Sequence, residues 1–115
     1  MLKQKKKITH LIDELLHYVL ETEPEQVVIA IQDLPNRVQM SVEQVGTPYD
    51  EQESRRIEHL LNGPKRNELQ DYYSGLAGED DCTSCNLRVV RMLIDGGHIE
   101  PTERGTRLTV WWEQD

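Results

Sequence analysis

The chain has no phenylalanine, and its two tryptophans and four tyrosines account for only 5% of 115 residues. An interior without Phe has to be filled by Leu, Ile and Val, so a thin aliphatic core is expected. Two cysteines are too few for the disulfide framework of a small secreted domain, which fits a reducing compartment. No window approaches the roughly 18 apolar residues of a membrane-spanning helix, and the amino-terminal stretch has no apolar signal core. A cytoplasmic location is therefore expected, with the membrane excluded as a partner. Positive charge is also scarce: 13 Lys and Arg against 21 Asp and Glu leave a net charge of -8. A polyanion such as nucleic acid is then excluded as the main partner.

The length suits one domain with a single core, taken as residues 1–115. Acidic residues cluster at 21–25, 50–53 and 79–81, and lysines gather at Lys3, Lys5, Lys6 and Lys7. That basic group is either a solvated helix start or a docking patch for an acidic partner or a membrane surface.

Ile8, Leu11, Ile12, Leu15, Leu16, Val19 and Leu20 recur at helical spacing, which predicts a helix over about 4–22, stopped by Pro24. Residues 26–33 (QVVIAIQD) are aliphatic and β-branched, as in a buried strand. After the turn residues Leu34-Pro35-Asn36-Arg37, Val38, Met40 and Val42 alternate with Gln39, Ser41 and Glu43. The two segments read as a β-hairpin. Ile57, Leu60 and Leu61 mark a helix over 51–62, stopped by Gly63-Pro64, and a short helix is expected near 67–73. A helix over about 84–96 carries Leu87, Val90, Leu93 and Ile94 on one face, with Gly96-Gly97 expected to end it in a left-handed turn. Residues 98–101 and 107–112 complete a second strand pair. This order predicts an α+β fold, a two-layer sandwich with helices on one face of a mostly antiparallel four-stranded sheet.

The run from Asn86 to Asp95 into Gly105-Thr106-Arg107-Leu108-Thr109-Val110-Trp111 carries a further signal. A helix that starts where a phosphate lid closes, followed by a Gly-Thr turn into a last strand, resembles the end of the histidine-kinase-like ATPase domain. That domain is the fold of two-component kinases and of the small serine kinases that act as anti-sigma factors. In layout the resemblance covers about residues 8–112. It implies a Glu on the first helix that activates the attacking group, and Glu14 matches it. Four residues later the family has a Mg²⁺-binding Asn; here Tyr18 stands there, or His17 if the register shifts by one, and neither suits a hard cation. The family's adenine-reading Asp corresponds to Gln44, whose amide oxygen keeps an acceptor without the charge. Gly46 matches the turn glycine, while Pro48 replaces the second one and removes an N–H. The glycine-rich phosphate box corresponds to Ser84-Cys85-Asn86-Leu87, which has no glycine, and Glu79, Asp80 and Asp81 precede it with a charge that repels a triphosphate. Thr106 follows the matching Gly105.

The resemblance thus implies a vestigial nucleotide site at Gln44, Gly46, Asn86 and Thr106, with ATP bound weakly and no cofactor required. It implies a non-catalytic, degenerate domain that serves as a protein-interaction module in bacterial signalling or transcription regulation. Its partner would be a regulator, a kinase, a sigma-related factor or a second copy of the chain. The alternative is an ATP-binding serine kinase of the anti-sigma type with Glu14 as its base.

Three other patterns carry chemistry. Cys82-Thr83-Ser84-Cys85 is a CxxC at a helix start, which is half a zinc site, a thiol switch or a pair of incidental cysteines. His10, Asp13, Glu14 and His17 share the polar face of the first helix, as half a metal site or as solvated His–carboxylate pairs. Trp111 and Trp112 must point to opposite faces of a strand, one into the core and one outward as a partner anchor or as edge packing.

Overall fold

The computed structural model describes residues 4–64 and 85–113. Helix α1 spans Lys5–Leu20 and buries Ile8, Leu11, Leu15, Tyr18 and Val19, the face marked by the sequence spacing. Its amino-terminal end carries lysines and no acid, the wrong sign for a helix dipole, and Gln4 makes no side-chain cap. Packing therefore holds this end: Gln4 Oε1 instead accepts from the Trp112 indole N–H at 2.6 Å. The helix closes ahead of Pro24, where the N–H groups of Glu21, Thr22 and Glu23 reach the carbonyls of Tyr18, Val19 and Leu20. Glu23 then adopts a left-handed φ of 52° and turns the chain into the sheet.

Strands β1 (Gln26–Asp33) and β2 (Arg37–Val45) form the first hairpin, closed by the Leu34 N–H donating to the Arg37 carbonyl at 2.9 Å. Helix α2 spans Glu51–Asn62. The Asp50 side chain accepts from the Glu53 N–H at 2.7 Å, and Glu51 and Glu53 lie in the first turn, where negative charge is favoured. Helix α3 spans Cys85–Leu93, and β3 (Gly96–Pro101) and β4 (Gly105–Glu113) form the second hairpin.

One boundary differs from the expectation. Gly96 and Gly97 do not end α3 in a left-handed turn; they begin β3, paired with Trp111 and Val110. The reason is space: a Cβ at Gly96 would meet the Trp111 ring at 2.9 Å, and one at Gly97 would meet Leu61 Cδ1 at 2.8 Å. The glycines let an indole and a helix lie directly on the strand. The short helix expected near 67–73 lies outside the described residues.

The sheet order is β1-β2-β4-β3 with every neighbouring pair antiparallel, so both hairpins share one sheet through the β2–β4 seam. The helices cover one face: α3 lies against both α1 and α2, and α2 packs on β3. The fold is thus an α+β two-layer sandwich. Its core is aliphatic, with Val38, Met40, Val42, Leu108 and Val110 from the sheet facing Leu11, Leu15, Val19, Ile57, Leu61, Leu87, Val90 and Ile94. Trp112, 1% exposed, is the larger of its two buried aromatics among the described residues, with Tyr18 the other. Trp111 faces the other way, under the Arg37 guanidinium at 5.0 Å. Among the described residues no helix is long and apolar enough to cross a membrane.

Candidate functional site

The sheet brings Gln44 and Thr106 together as cross-strand partners on the helix side of the β2–β4 seam. Both are buried, Gln44 completely. The Gln44 amide donates from Nε2 to the Thr47 carbonyl at 2.7 Å, while its Oε1 has no partner among the described residues. Thr106 Oγ1 accepts from the Tyr49 N–H at 3.1 Å, tying the loop before α2 to β4. Gly46 sits in the same loop with φ 144°, a conformation that side chains rarely adopt, and its N–H donates to the Arg104 carbonyl at 2.8 Å. Close by, a Cβ on Gly105 would fall 1.9 Å from the Gln44 carbonyl oxygen, so only glycine lets the two strands meet there. Gln44, Gly46 and Thr106 therefore form one constellation.

Asn86 lies elsewhere, on the first turn of α3. Its Nδ2 donates to Glu14 Oε1 at 2.6 Å, and the other oxygen of Glu14 faces His10 Nε2 at 3.2 Å. The acid on α1 is thus occupied on both oxygens, and the pair serves as a clamp between α1 and α3.

One turn beyond Glu14, Tyr18 fills the position where the resembled family has its metal-binding Asn. Its buried hydroxyl donates to the Glu53 carboxylate and accepts from Arg56 Nη2 at 3.1 Å, and Arg56 also grips both oxygens of Glu53 at 2.9 and 3.2 Å. The Tyr18 ring lies 6.1 Å from that of Tyr49, whose own hydroxyl is buried without a partner among the described residues. Burial, and then the bond to Glu53, push the Tyr18 hydroxyl well above the ordinary tyrosine range, and burial does the same at Tyr49. The Arg56 hydrogen bond holds Glu53 below the usual carboxylate value. At neutral pH this is a phenol, a carboxylate and a guanidinium in mutual satisfaction.

A second polar group sits on the opposite sheet face. Glu43 is only 8% exposed, and its carboxyl is held below the usual value by the Thr102 hydroxyl and by Arg104, whose Nη2 lies 3.0 Å from Oε1. Sequence spacing missed both groups. The Glu53/Arg56 pair at i, i+3 was open to it, but Tyr18 joins them from 35 residues away.

Of the remaining candidates, His10 pairs with Glu14 and His17 with Asp13 at 3.2 and 3.8 Å, as solvated i, i+4 pairs do. No group of three or more metal-ligating side chains occurs among the described residues. Cys82 lies outside them, and Cys85 begins α3. Two clefts flank α2, one lined by His59, Gly63, Arg88 and Met92, the other by Ser54, Glu58 and Ile99. Neither includes Gln44, Gly46, Asn86 or Thr106. Comparison with protein-family models and with curated proteins finds no match to this chain.

Proposed function

We propose that the chain is a non-catalytic binding module, a degenerate histidine-kinase-like domain that works by contacting a protein partner in bacterial signalling or transcription regulation. The observation that carries this reading is the state of α1. Glu14, the residue matched to the activating acid, is bonded to Asn86 and His10, and Tyr18 occupies the metal position with its hydroxyl shared between Glu53 and Arg56. Mg²⁺ takes oxygen donors in near-octahedral geometry, and a buried phenol kept protonated by its surroundings is a poor one. The side chains present therefore do not fit a metal-bridged triphosphate.

A second reading is favoured by one atom. The buried Gln44 Oε1 has no partner among the described residues, and a buried acceptor without a donor costs about 1–3 kcal/mol. The amino group of a purine is a donor of the right kind, so base binding without phosphate binding is the form in which nucleotide recognition survives. Melting the protein with ATP and Mg²⁺, with ATP alone and with adenosine separates the two. The binding-module reading expects no metal-dependent shift, because a ligand stabilises in proportion to ln(1 + [L]/Kd). A rise of several degrees that needs Mg²⁺ and disappears in Glu14→Gln would overturn it, whereas an equal small rise with ATP and adenosine supports the purine reading.

A further inference from the structure

The two edges of the sheet are finished in opposite ways. Strand alternation sends the N–H and C=O groups of Gly97, Ile99 and Pro101 outward from β3, because Thr102 and Gly105 form an inward pair. All three positions are blunted. The Asn62 amide accepts from the Gly97 N–H at 3.1 Å and donates to its carbonyl at 2.8 Å, Glu58 accepts from the Ile99 N–H at 3.3 Å, and Pro101 has no N–H.

On β1 the same alternation, set by the Leu34–Arg37 bond, turns the groups of Val27, Ile29 and Ile31 outward. None of these has a hydrogen-bond partner among the described residues. From Gln26 to Gln32 the strand carries no charge and no proline. Its side chains are nowhere fully buried, and Val28 is 38% exposed. Among the described residues none of the usual edge protections covers this strand.

We infer that β1 is an interface, and that its partner is β1 of a second copy, paired antiparallel about a two-fold axis at Ile29. The sequence of the strand selects that partner. Reversed on itself about Ile29, the run QVVIAIQ sets Gln26 opposite Gln32, Val27 opposite Ile31 and Val28 opposite Ala30. Polar ends meet polar ends, and β-branched residues meet β-branched or small ones on both faces, the kind of pairing that stabilises adjacent strands. The axis stands perpendicular to the sheet, so two four-stranded sheets become one of eight strands with all helices on the same side. Among the described residues the unfavourable neighbours are Glu25 and Asp33 of the two copies at the ends of the pair, both exposed and open to screening by salt. This assembly goes beyond the binding-module reading and does not rest on it, since the edge pairs in the same way whether or not a nucleotide binds.

Sedimentation equilibrium of the full chain tests it. Wild type is expected at twice the 13.4 kDa chain mass, with association strengthening as salt is raised. Val28→Lys/Ala30→Lys places like charges opposite each other at two points and is expected to weaken association about tenfold or more. Val28→Lys/Ala30→Glu places opposite charges there and is expected to restore it. Both positions are exposed, and circular dichroism checks that each variant is folded. A wild-type chain that stays monomeric at several hundred micromolar overturns the inference. So does a Lys/Lys variant as dimeric as wild type, a Lys/Glu variant as weak as Lys/Lys, or association that weakens with salt.

Discussion

The β3 half and the β1 half of this sheet are built from similar hairpins yet are supported differently. Above β3 lies α2, capped by Asp50, with Asn62 and Glu58 reaching down to the strand edge and Leu61 seated on Gly97. Above β1 the described residues offer less: Val27, Ile29 and Ile31 are partly buried against the core, and no described helix side chain hydrogen-bonds the strand's outward backbone groups. Side-chain capping of an edge does two jobs at once, holding the strand and removing it as a template for other chains. A half that lacks such capping relies on its one strand neighbour for support, and it also keeps an open backbone to offer.

The largest effect that would sharpen this contrast comes from the helix–strand contact. Gly97→Ala drives a Cβ into Leu61 and the Thr109 carbonyl at 2.8–3.2 Å, and should destabilise by about 2 kcal/mol. Ala30→Val, an equally small enlargement on the exposed face of β1, should change stability by no more than about 0.5 kcal/mol. Urea denaturation of the two variants checks the pair; equal costs would break the comparison. Next in size is Asn62→Ala, which strips both outward groups of Gly97 of their partner and should cost about 1–2 kcal/mol. Hydrogen exchange should then find the Gly97 amide as fast as those of Val27 and Ile29 in dilute protein; continued protection would mean that Asn62 is not what closes that edge.

The smallest effect concerns the group that ties the halves together, Tyr18 on α1 with Glu53 and Arg56 on α2. The folded-state value of Glu53 is lowered, so the native state holds fewer protons than the unfolded chain just below the ordinary carboxylate value of 4.5. Its contribution is present above that pH and is lost as pH falls through the folded value. Tyr18 and Tyr49 are raised instead, so their contribution is present below the ordinary tyrosine value of 10.0 and is lost as pH rises above it. Stability measured against pH should therefore be flat through neutrality and fall on both sides. Glu53→Gln should make the acid limb shallower, and Tyr49→Phe should do the same to the alkaline limb at little cost at pH 7, because its hydroxyl has no partner to lose among the described residues. An acid limb unchanged in Glu53→Gln would assign that slope to Glu43 and Arg104 on the other face.

Much of this was legible from residue order. Strand β1 and helix α2 begin and end where composition and turn residues put them, because Pro24, Pro35 and Gly63 are local signals whose effect does not depend on distant partners. But β1 is an edge strand with no fully buried residue and not the buried strand its aliphatic run suggests. Gly96-Gly97 misled for an equally physical reason. Glycine after an apolar helical stripe is a good stop signal, and nothing near it in sequence announces that the Trp111 ring and Leu61 need the space. In the candidate site, Gln44 and Thr106 were matched one at a time to a family pattern, and the β2–β4 register makes them neighbours. Asn86 was grouped with them, but it reaches Glu14 instead, across 72 residues of chain.

Residue order alone determined the kinds of element, the aliphatic character of the core and which face of β2 and of the three described helices turns inward, since side-chain periodicity records burial directly. Tertiary structure alone decided that β2 and β4 form the central seam, that α2 closes the β3 edge while no described residue closes the β1 edge, and that Glu14 and Tyr18 are held by Asn86, Glu53 and Arg56. The reason is that sheet neighbours are joined through backbone N–H and C=O groups, which nearly every residue carries alike. Sequence can mark which way a side chain points, but it leaves no comparable mark on which strand or helix of the same chain will satisfy the backbone beside it.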